Sequence, residues 1–367
     1  MGKEVTIVID AREVPAHEGV SIIEAADGAG IYIPRLCHHP DLPPGPTTTS
    51  SSLVYRGGEI CFADTGESFS SNGCGICLVD VEGKGICPAC ATRVENGMIV
   101  RSQTAALLEL RRNKLSRILA LHPHACMLCA EKGGCNRDDC TEGVENSDRC
   151  CAKFDVCELQ RVCEYLTIKE NVSAYVSRDI SVTHAALFTF NPNLCIGCTR
   201  CVRACEKTQG KRVIDFTIVD KTCTIGTAAP SFKESGCVLC GACVTVCPTG
   251  ALMDKGLSWK KNAPLTRSAI VYPPENDLEA TDENIRLVPE ACGVYQLLDE
   301  KRTIIYIRGV DAMRSDLENK RTSVPNARYF RYEEHDMYTM RENELLERFL
   351  KKYNTLPEVN NEISDLY

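Results

Sequence analysis

Two runs of four cysteines between residues 193 and 252 carry the densest chemistry in the chain. Cys195, Cys198, Cys201 and Cys205 follow one another as C-x2-C-x2-C-x3-C, and Cys237, Cys240, Cys243 and Cys247 repeat the spacing, with Pro248 after the last. Three thiolates on one tight loop can reach three corners of an iron–sulfur cube. The fourth corner faces away and needs a donor from further along the chain. With this spacing the fourth cysteine of each run serves the other cluster. One 4Fe-4S cubane is therefore expected on Cys195, Cys198, Cys201 and Cys247, and a second on Cys237, Cys240, Cys243 and Cys205. Zinc knuckles pair two C-x2-C elements and have no use for a third cysteine at the same step.

Composition fits that chemistry. The chain has 24 cysteines in 367 residues and a net charge of −8. A disulfide framework belongs to short secreted chains, and here no apolar signal segment precedes the cysteines. A reducing, cytoplasmic setting is expected. No run approaches the length of a membrane span, so no direct membrane contact is expected. The acidic balance argues against a nucleic-acid surface. No G-x-G-x-x-G follows a strand pattern, so neither a nicotinamide nor a flavin fingerprint is present.

The elements that must position the thiols can be read from periodicity. Residues 3–10 alternate as a β-branched strand, and a second extended run reaches Val14. Residues 21–29 read as a short helix with Ser21 and Glu24 as a capping box. A cysteine loop follows, with Cys37, then Cys74 and Cys77, then Cys90 in an Ala-Cys-Ala-Thr context. This order is similar to the plant-type ferredoxin fold. It resembles the N-terminal 2Fe-2S domain shared by the large peripheral iron–sulfur subunit of complex I, iron-only hydrogenases and the diaphorase part of NAD-linked hydrogenases. The resemblance implies a 2Fe-2S cluster on Cys37, Cys74, Cys77 and Cys90. Residues 38–73 are an insertion relative to that family, rich in Pro, Thr and Ser and expected to be a loop. Cys61 within it, and Cys87 just before Cys90, are alternatives for one of the four positions.

Residues 104–121 are helical by pattern, with Leu108, Leu115, Ile118 and Leu119 on one face and Arg111, Arg112, Lys114 and Arg117 mostly opposite. At the end stand His122, Cys126 and Cys129. They resemble the 4Fe-4S site of the same families that is held by one histidine and three cysteines, in which the histidine precedes C-x2-C by four positions. His124 has the wrong offset. An imidazole in place of a thiolate makes such a cluster less negative, which raises its potential. The third cysteine is ambiguous. Cys135 has the family's spacing, whereas the family's Cys-Glu-Leu-Gln context occurs at Cys157, 22 positions later. The context favours Cys157, which leaves Cys135, Cys140, Cys150 and Cys151 as candidates for an additional iron–sulfur centre. Cys163 reads as a small buried hydrophobe, and Cys223, outside both quartets, as structural.

Beyond residue 255 the cysteine density drops. Residues 285–360 carry Gly293-Val294-Tyr295, then Tyr306-Ile307-Arg308, Arg314, and a helix at 339–353 with Thr339 and Glu342 as its capping box. This resembles a GIY-YIG nuclease-like domain, whose chemistry implies roles for Tyr295, Tyr306, Arg314 and Glu344. The second signature has Arg308 where the family has glycine, so a degenerate, non-cleaving adaptor is expected.

The expected architecture is thus α+β and multidomain. A 2Fe-2S ferredoxin-like (β-grasp) domain spans 1–102, and a histidine-ligated 4Fe-4S domain spans 103–177 with a cysteine-rich insertion at 130–156. A twin 4Fe-4S bacterial-type ferredoxin domain spans 178–255, a linker 256–284, and the GIY-YIG-like module with its tail 285–367. One 2Fe-2S and three 4Fe-4S clusters are expected. The resemblance implies a non-catalytic electron-relay subunit in a hetero-oligomer. A flavin-containing, NAD(P)H-oxidising subunit would stand on one side, and a catalytic or ferredoxin-linked subunit on the other. NAD-linked hydrogenases, formate dehydrogenases and benzoyl-CoA-reductase-type complexes are the candidate assemblies. A nucleic-acid-processing role for the C-terminal module, with structural or sensing clusters, is the alternative.

Overall fold

A computed structural model describes residues 3–45, 48–64, 73–129, 140, 142–154, 157–168, 172–256, 273, 277–301 and 303–360. The chain forms two compact units, Met1–Leu128 with Gly143–Pro273, and Cys129–Glu142 with Pro274–Tyr367.

The first unit begins with β1 (Glu4–Ile9) and β2 (Arg12–His17), an antiparallel pair with Ile7 opposite Val14. Helix α1 (Ile22–Gly28) starts at Ser21, whose hydroxyl accepts from the Glu24 amide while the Glu24 carboxylate accepts from the Ser21 N–H at 2.7 Å. That reciprocal cap fixes where the helix begins. It sets Ile22, Ile23, Ala25 and Ala26 onto a core with Ile7, Ile9, Val79, Val81 and Val100.

The inserted segment is not a loop throughout. It contains a hairpin of β3 (Leu53–Arg56) and β4 (Glu59–Phe62), closed by Gly57 and Gly58, both at positive φ. A two-residue turn with both φ values positive matches strand twist and requires glycine-like residues. The surrounding Pro, Thr and Ser content hid the strand signal in Leu53-Val54-Tyr55. Strands β5 (Leu78–Val81), β6 (Gly85–Pro88) and β7 (Ile99–Arg101) complete the first sheet in the order β2-β1-β7-β5-β6.

Helix α2 (Ala105–Leu119) is capped by the Thr104 hydroxyl and buries Leu107, Leu115 and Leu119. It also buries Arg111, one of the residues expected on the solvent side. The Arg111 guanidinium donates to the Leu78 carbonyl at 2.5 Å, which ties the helix to β5. Two short helices follow, α3 (Ala125–Leu128) and α4 (Glu158–Tyr165).

The remaining elements of this unit are β8 (Thr183–His184), β9 (Phe188–Phe190), α5 (Arg200–Gln209), β10 (Ile214–Val219), β11 (Thr222–Thr227), α6 (Ala242–Thr245) and β12 (Leu252–Asp254). They form a sheet of order β12-β9-β8 and a sheet of order β10-β11-β3-β4. The inserted hairpin therefore extends the sheet of a distant part of the sequence, with Tyr55 paired to Thr227. Ser51 reinforces the joint through its N–H to the Phe216 carbonyl at 2.8 Å and its hydroxyl to Asp215 at 2.5 Å. Phe188, Phe190, Phe216 and Phe232 form the apolar floor beneath the cysteine loops.

The second unit is a four-stranded antiparallel sheet of order β13-β16-β14-β15. Its elements are β13 (Leu278–Glu279), α7 (Asp282–Arg286), β14 (Gly293–Leu298), β15 (Ile304–Val310), α8 (Met313–Ser323), β16 (Tyr329–Glu334) and α9 (Tyr338–Tyr353). Helix α9 begins at Tyr338 without a side-chain cap, so the expected Thr339/Glu342 capping box is absent. Glu342 is drawn instead toward Arg308 on β15, at 3.9 Å.

Candidate metal centres

Helix α5 carries Cys201 and Cys205 one turn apart, and α6 carries Cys243, with Cys247 just beyond its C-cap, Val246. In each case the paired sulfurs separate into two hollows. One, enclosing about 300 Å³ of non-atom space, is lined by Cys195, Cys198, Cys201 and Cys247 with Ile225 and Leu252. The other, about 380 Å³, is lined by Cys205, Cys237, Cys240 and Cys243 with Phe188 and Phe232. The fourth cysteine of each run thus faces the partner run's hollow. Gly197 shapes the first loop: its φ is +65°, and a β-carbon there would lie 2.8 Å from the Cys223 carbonyl oxygen.

The linings fit iron–sulfur clusters. Apart from sulfur they are largely apolar, so an occupant must be held by thiolates. Among the described residues no three His, Cys, Asp or Glu side chains close to the separation that would cage a single metal ion. Thiol donors set in an apolar surround suit an iron–sulfur cluster. Burial pushes the thiol of Cys195 up to about 11 and that of Cys198 up to about 12. Burial, followed by neighbouring sulfurs, raises Cys201 and Cys243 further. These thiols stay protonated at neutral pH unless a cation takes the proton's place.

A third thiol group lies beside the first sheet. Cys37, Cys77 and Cys90 are buried and Cys74 half-buried. The Cys74 amide donates to the Cys37 sulfur at 3.4 Å. Hydrogen bonds from the Cys74 and Cys90 thiols hold Cys37 well below the usual thiol range, and the same contacts raise both donors. Cys77 also bonds Cys90. The loop bearing Cys37 is pinned by Arg35, whose guanidinium pairs with Asp27 at 2.5 and 2.7 Å and whose Nε donates to the Ile33 carbonyl. Cys61 sits on β4 in the other sheet, and Cys87 on β6.

The histidine-bearing region is organised differently. His122 is almost fully buried. Its Nδ1 lies 2.7 Å from the Pro123 carbonyl, and its Nε2 has no partner. A carbonyl only accepts, so Nδ1 carries the hydrogen and Nε2 keeps a free lone pair. Burial lowers the imidazole pKa to about 4, so the ring is neutral near pH 7. His124 is also buried, but its Nδ1 is engaged by the Leu119 and His122 carbonyls. Cys126, Cys150 and Cys157 lie in one apolar core with Leu115, Leu119 and Leu159. Cys129 and Cys140 are half-buried, and Cys135 lies outside the described residues. Cys150 and Cys151 turn to different neighbours: Cys151 packs on the twin-quartet core, against Gly250, where any β-carbon would strike its sulfur.

Buried cations, which sequence reasoning missed, tie these groups together. Arg203 donates to the carbonyls of Cys37, Pro43 (2.6 Å) and Cys198 (3.3 Å), linking the first-sheet thiols to the first twin quartet. Arg200 forms a buried pair with Glu158, 2.9 Å to each oxygen, and donates to the Val246 carbonyl at 3.3 Å. That joins the residue after Cys157 to the residue before Cys247. Burial alone would lower the Arg200 pKa, but Glu158 and the nearby sulfurs reverse the sign and raise it. Lys153 donates to the carbonyls of Cys247 at 2.6 Å and Thr249 at 2.9 Å. The signal was present in the sequence as two arginines flanking Cys201 on an otherwise apolar helix face.

In the second unit Tyr295 is buried and donates to Asp316 at 2.5 Å, with the Tyr306 ring 6.1 Å away and Lys320 over that ring at 4.4 Å. Arg314 does not join them. Its Nε donates to the Val288 carbonyl at 2.7 Å, because it falls on the side of α8 that meets the end of α7. Asp316 holds the place beside the tyrosines. Glu344 is on α9, and its side chain lies outside the described residues.

Parts of the chain are similar to known proteins. A 2Fe-2S iron–sulfur cluster binding domain matches residues 2–47 and 60–105, and a 4Fe-4S dicluster domain matches residues 194–251. The chain is 30% identical over 253 residues to a subunit of the NADH-quinone oxidoreductase of Rhizobium meliloti, covering 68% of this chain and 24% of that protein. It is 28% identical over 262 residues to the HndD subunit of the NADP-reducing hydrogenase of Solidesulfovibrio fructosivorans, covering 70% and 37%. The chain therefore spans from about a quarter to somewhat over a third of the length of these relatives. The crystal structure of an NAD+-reducing NiFe-hydrogenase in the H2-reduced state superposes with a TM-score of 0.51 at 22% identity, over 70% of this chain and 90% of that one. The chain is an iron–sulfur protein related to these oxidoreductase subunits, with 2Fe-2S and 4Fe-4S binding domains.

Proposed function

We propose that the chain is the electron-relay subunit of a multi-subunit NAD(P)H- or ferredoxin-linked oxidoreductase, passing electrons between a flavoprotein partner and a catalytic or ferredoxin-linked partner. Iron–sulfur clusters, when bound, supply one-electron chemistry whose potential is set by ligands, burial and hydrogen bonds. The polypeptide holds, insulates and tunes them. The observation that carries this reading is the pair of hollows lined by crossed cysteine quartets.

In this reading Cys37, Cys74, Cys77 and Cys90 hold a 2Fe-2S cluster. Cys195, Cys198, Cys201 and Cys247 hold one cubane, and Cys237, Cys240, Cys243 and Cys205 another. His122, Cys126, Cys129 and Cys157 hold a third. The parts follow the boundaries 1–102, 103–177, 178–255, 256–284 and 285–367. The first twin quartet is the junction: Arg203 reaches it from the Cys37 loop, and Arg200 with Glu158 from the Cys157 side. Their hydrogen bonds fix the spacing of neighbouring donor loops and place positive charge where reduction adds negative charge. The hetero-oligomer is cytoplasmic, and no helix among the described residues is long and apolar enough to cross a membrane. Hydrogenases, formate dehydrogenases and benzoyl-CoA-reductase-type complexes are the candidate assemblies. The C-terminal unit serves as a degenerate GIY-YIG-like adaptor, in which Asp316 beside Tyr295 would repel a phosphate.

The reading is tested by anaerobic reduction of the reconstituted chain. Dithionite bleaches the visible absorption, NADH or NADPH alone does not, and NAD(P)H does so once a flavin-containing subunit from the native complex is added. Bleaching by NAD(P)H with flavin bound to the isolated chain would make it a single-chain reductase and overturn the proposal.

A further inference from the structure

The two cysteine-lined hollows repeat one spacing but not one electrostatic setting. Four cations approach the hollow of Cys195, Cys198, Cys201 and Cys247. Arg178 donates to the Cys195 carbonyl at 3.4 Å and to the Pro192 and Asn193 carbonyls at 2.8 and 3.3 Å. Arg203 donates to the Cys198 carbonyl at 3.3 Å, and Lys153 to the Cys247 carbonyl at 2.6 Å. Arg200 donates to the carbonyl of Val246, the residue before Cys247. Three of the four cysteines in this quartet thus have a cation on their own carbonyl.

The protein balances only one of these charges. Arg200 pairs with Glu158 at 2.9 Å. Among the described residues, Arg178, Arg203 and Lys153 have carbonyl and hydroxyl partners and no carboxylate. Arg203 is 1% exposed, and Arg178 and Lys153 are half-buried. A buried cation without a counter-ion is costly. Three such charges beside one hollow favour negative charge inside it.

The hollow of Cys205, Cys237, Cys240 and Cys243 has no such ring. Among the described residues no cationic side chain donates to a carbonyl of these four cysteines. Lys211 comes near, with its Nζ 2.8 Å from where a β-carbon on Gly236 would stand, but it is exposed and its charge is screened by water. Val238, on the loop between Cys237 and Cys240, is 58% exposed. Hydration on that side also favours an added electron, but it acts from one face only. Buried cations act through a lower dielectric and from several sides, so they are the larger effect.

Reduction adds negative charge, and nearby cations that stabilise it raise the potential. We infer that the first quartet holds the higher-potential cubane of the twin pair, set by Arg178, Arg203 and Lys153, so that electrons pass from the second quartet to the first. Each transfer oxidises the site on Cys237, Cys240, Cys243 and Cys205 by one electron and reduces the other by one, with no proton moved. The inference rests on the relay reading above and deepens it by giving the pair a direction. The part-exposed loop bearing Val238 then stands at the end where electrons enter.

The test uses the full chain, reconstituted anaerobically and titrated electrochemically while low-temperature paramagnetic spectra are recorded. In the wild type the pair should favour reduction of the first quartet at least about tenfold, a separation of about 59 mV for one electron. Cys240→Ala should remove the lower-potential member and leave the higher, and Cys198→Ala should do the reverse. Arg178→Gln, Arg203→Gln and Lys153→Met, at wild-type iron content, should each shift to lower potential the wave that survives in Cys240→Ala. Lys211→Met should leave that wave in place. Loss of the higher-potential wave in Cys240→Ala would overturn the inference and leave the relay reading intact. Unchanged potentials in all three fully loaded charge variants would do the same. If a charge variant loses iron, the order of the waves in the wild type and the two cysteine variants still decides. Wild-type protein that takes up no iron would overturn the relay reading itself.

Discussion

The two compact units treat buried polarity in opposite ways. In the C-terminal unit polar groups close on one another: Tyr295 on Asp316, Arg308 near Glu342, Arg341 on Glu333 at 2.5 Å. In the first unit some polar groups close in the same way, as Arg200 does on Glu158, while others stay unpaired. All the buried side-chain nitrogens and oxygens without a partner, among the described residues, fall there, including His122 Nε2, His38 Nδ1 and Arg200 Nε. Unpaired buried polar atoms are rare and ask for an explanation. The contrast is between a unit that carries the cysteine-lined hollows and one whose buried polar groups are paired with each other.

Four substitutions would break or sharpen it. The largest effect is expected for Cys201→Ala, which should remove one cubane, about four irons, and weaken its neighbour through α5. Iron analysis alongside circular dichroism of the second unit's transition checks this, and unchanged iron would contradict the quartet. Glu158→Ala comes next. It leaves the Arg200 charge buried and unpaired, a loss of about 3–5 kcal/mol, visible as a lower melting temperature of the first unit only. Tyr295→Phe strands the Asp316 carboxylate and should cost about 1–3 kcal/mol in the second unit, with iron content unchanged. An iron loss in that variant would erase the distinction between the units. The smallest is Lys320→Met, which removes the cation over the Tyr306 ring and should cost about 0.5–1 kcal/mol in the second unit's unfolding.

How much was legible in the sequence differs by region for a physical reason. The twin quartets could be read directly, because three donors sit on one turn of chain and the exchange of the fourth follows from α5 and α6 each carrying sulfurs toward two hollows. The capping box at Ser21 was equally local. The site near His122 was only half legible. Contacts made across the long insertion, such as the Cys150 amide on the Cys126 sulfur, are tertiary, and spacing holds no record of them. The hairpin β3–β4 was hidden by its Pro- and Ser-rich flanks, although Gly57-Gly58 between alternating apolar residues was a usable turn signal. Arg200 and Arg203 drew no reading from the sequence, although two arginines beside Cys201 were a usable signal, and the fold shows them buried against donor-loop carbonyls. In the second unit Asp316, which drew no reading from the sequence, stands beside Tyr295 where Arg314 was expected, because the rotation of α8 cannot be fixed from a short polar sequence.

The central claim is that these thiols hold a set of iron–sulfur clusters. Low-temperature paramagnetic resonance of the anaerobically reconstituted chain, titrated with dithionite, tests it most directly. The account predicts one signal of 2Fe-2S character that persists at higher temperature and several fast-relaxing 4Fe-4S signals. A silent spectrum at every stage of the titration, with zinc rather than iron in the protein, would contradict it.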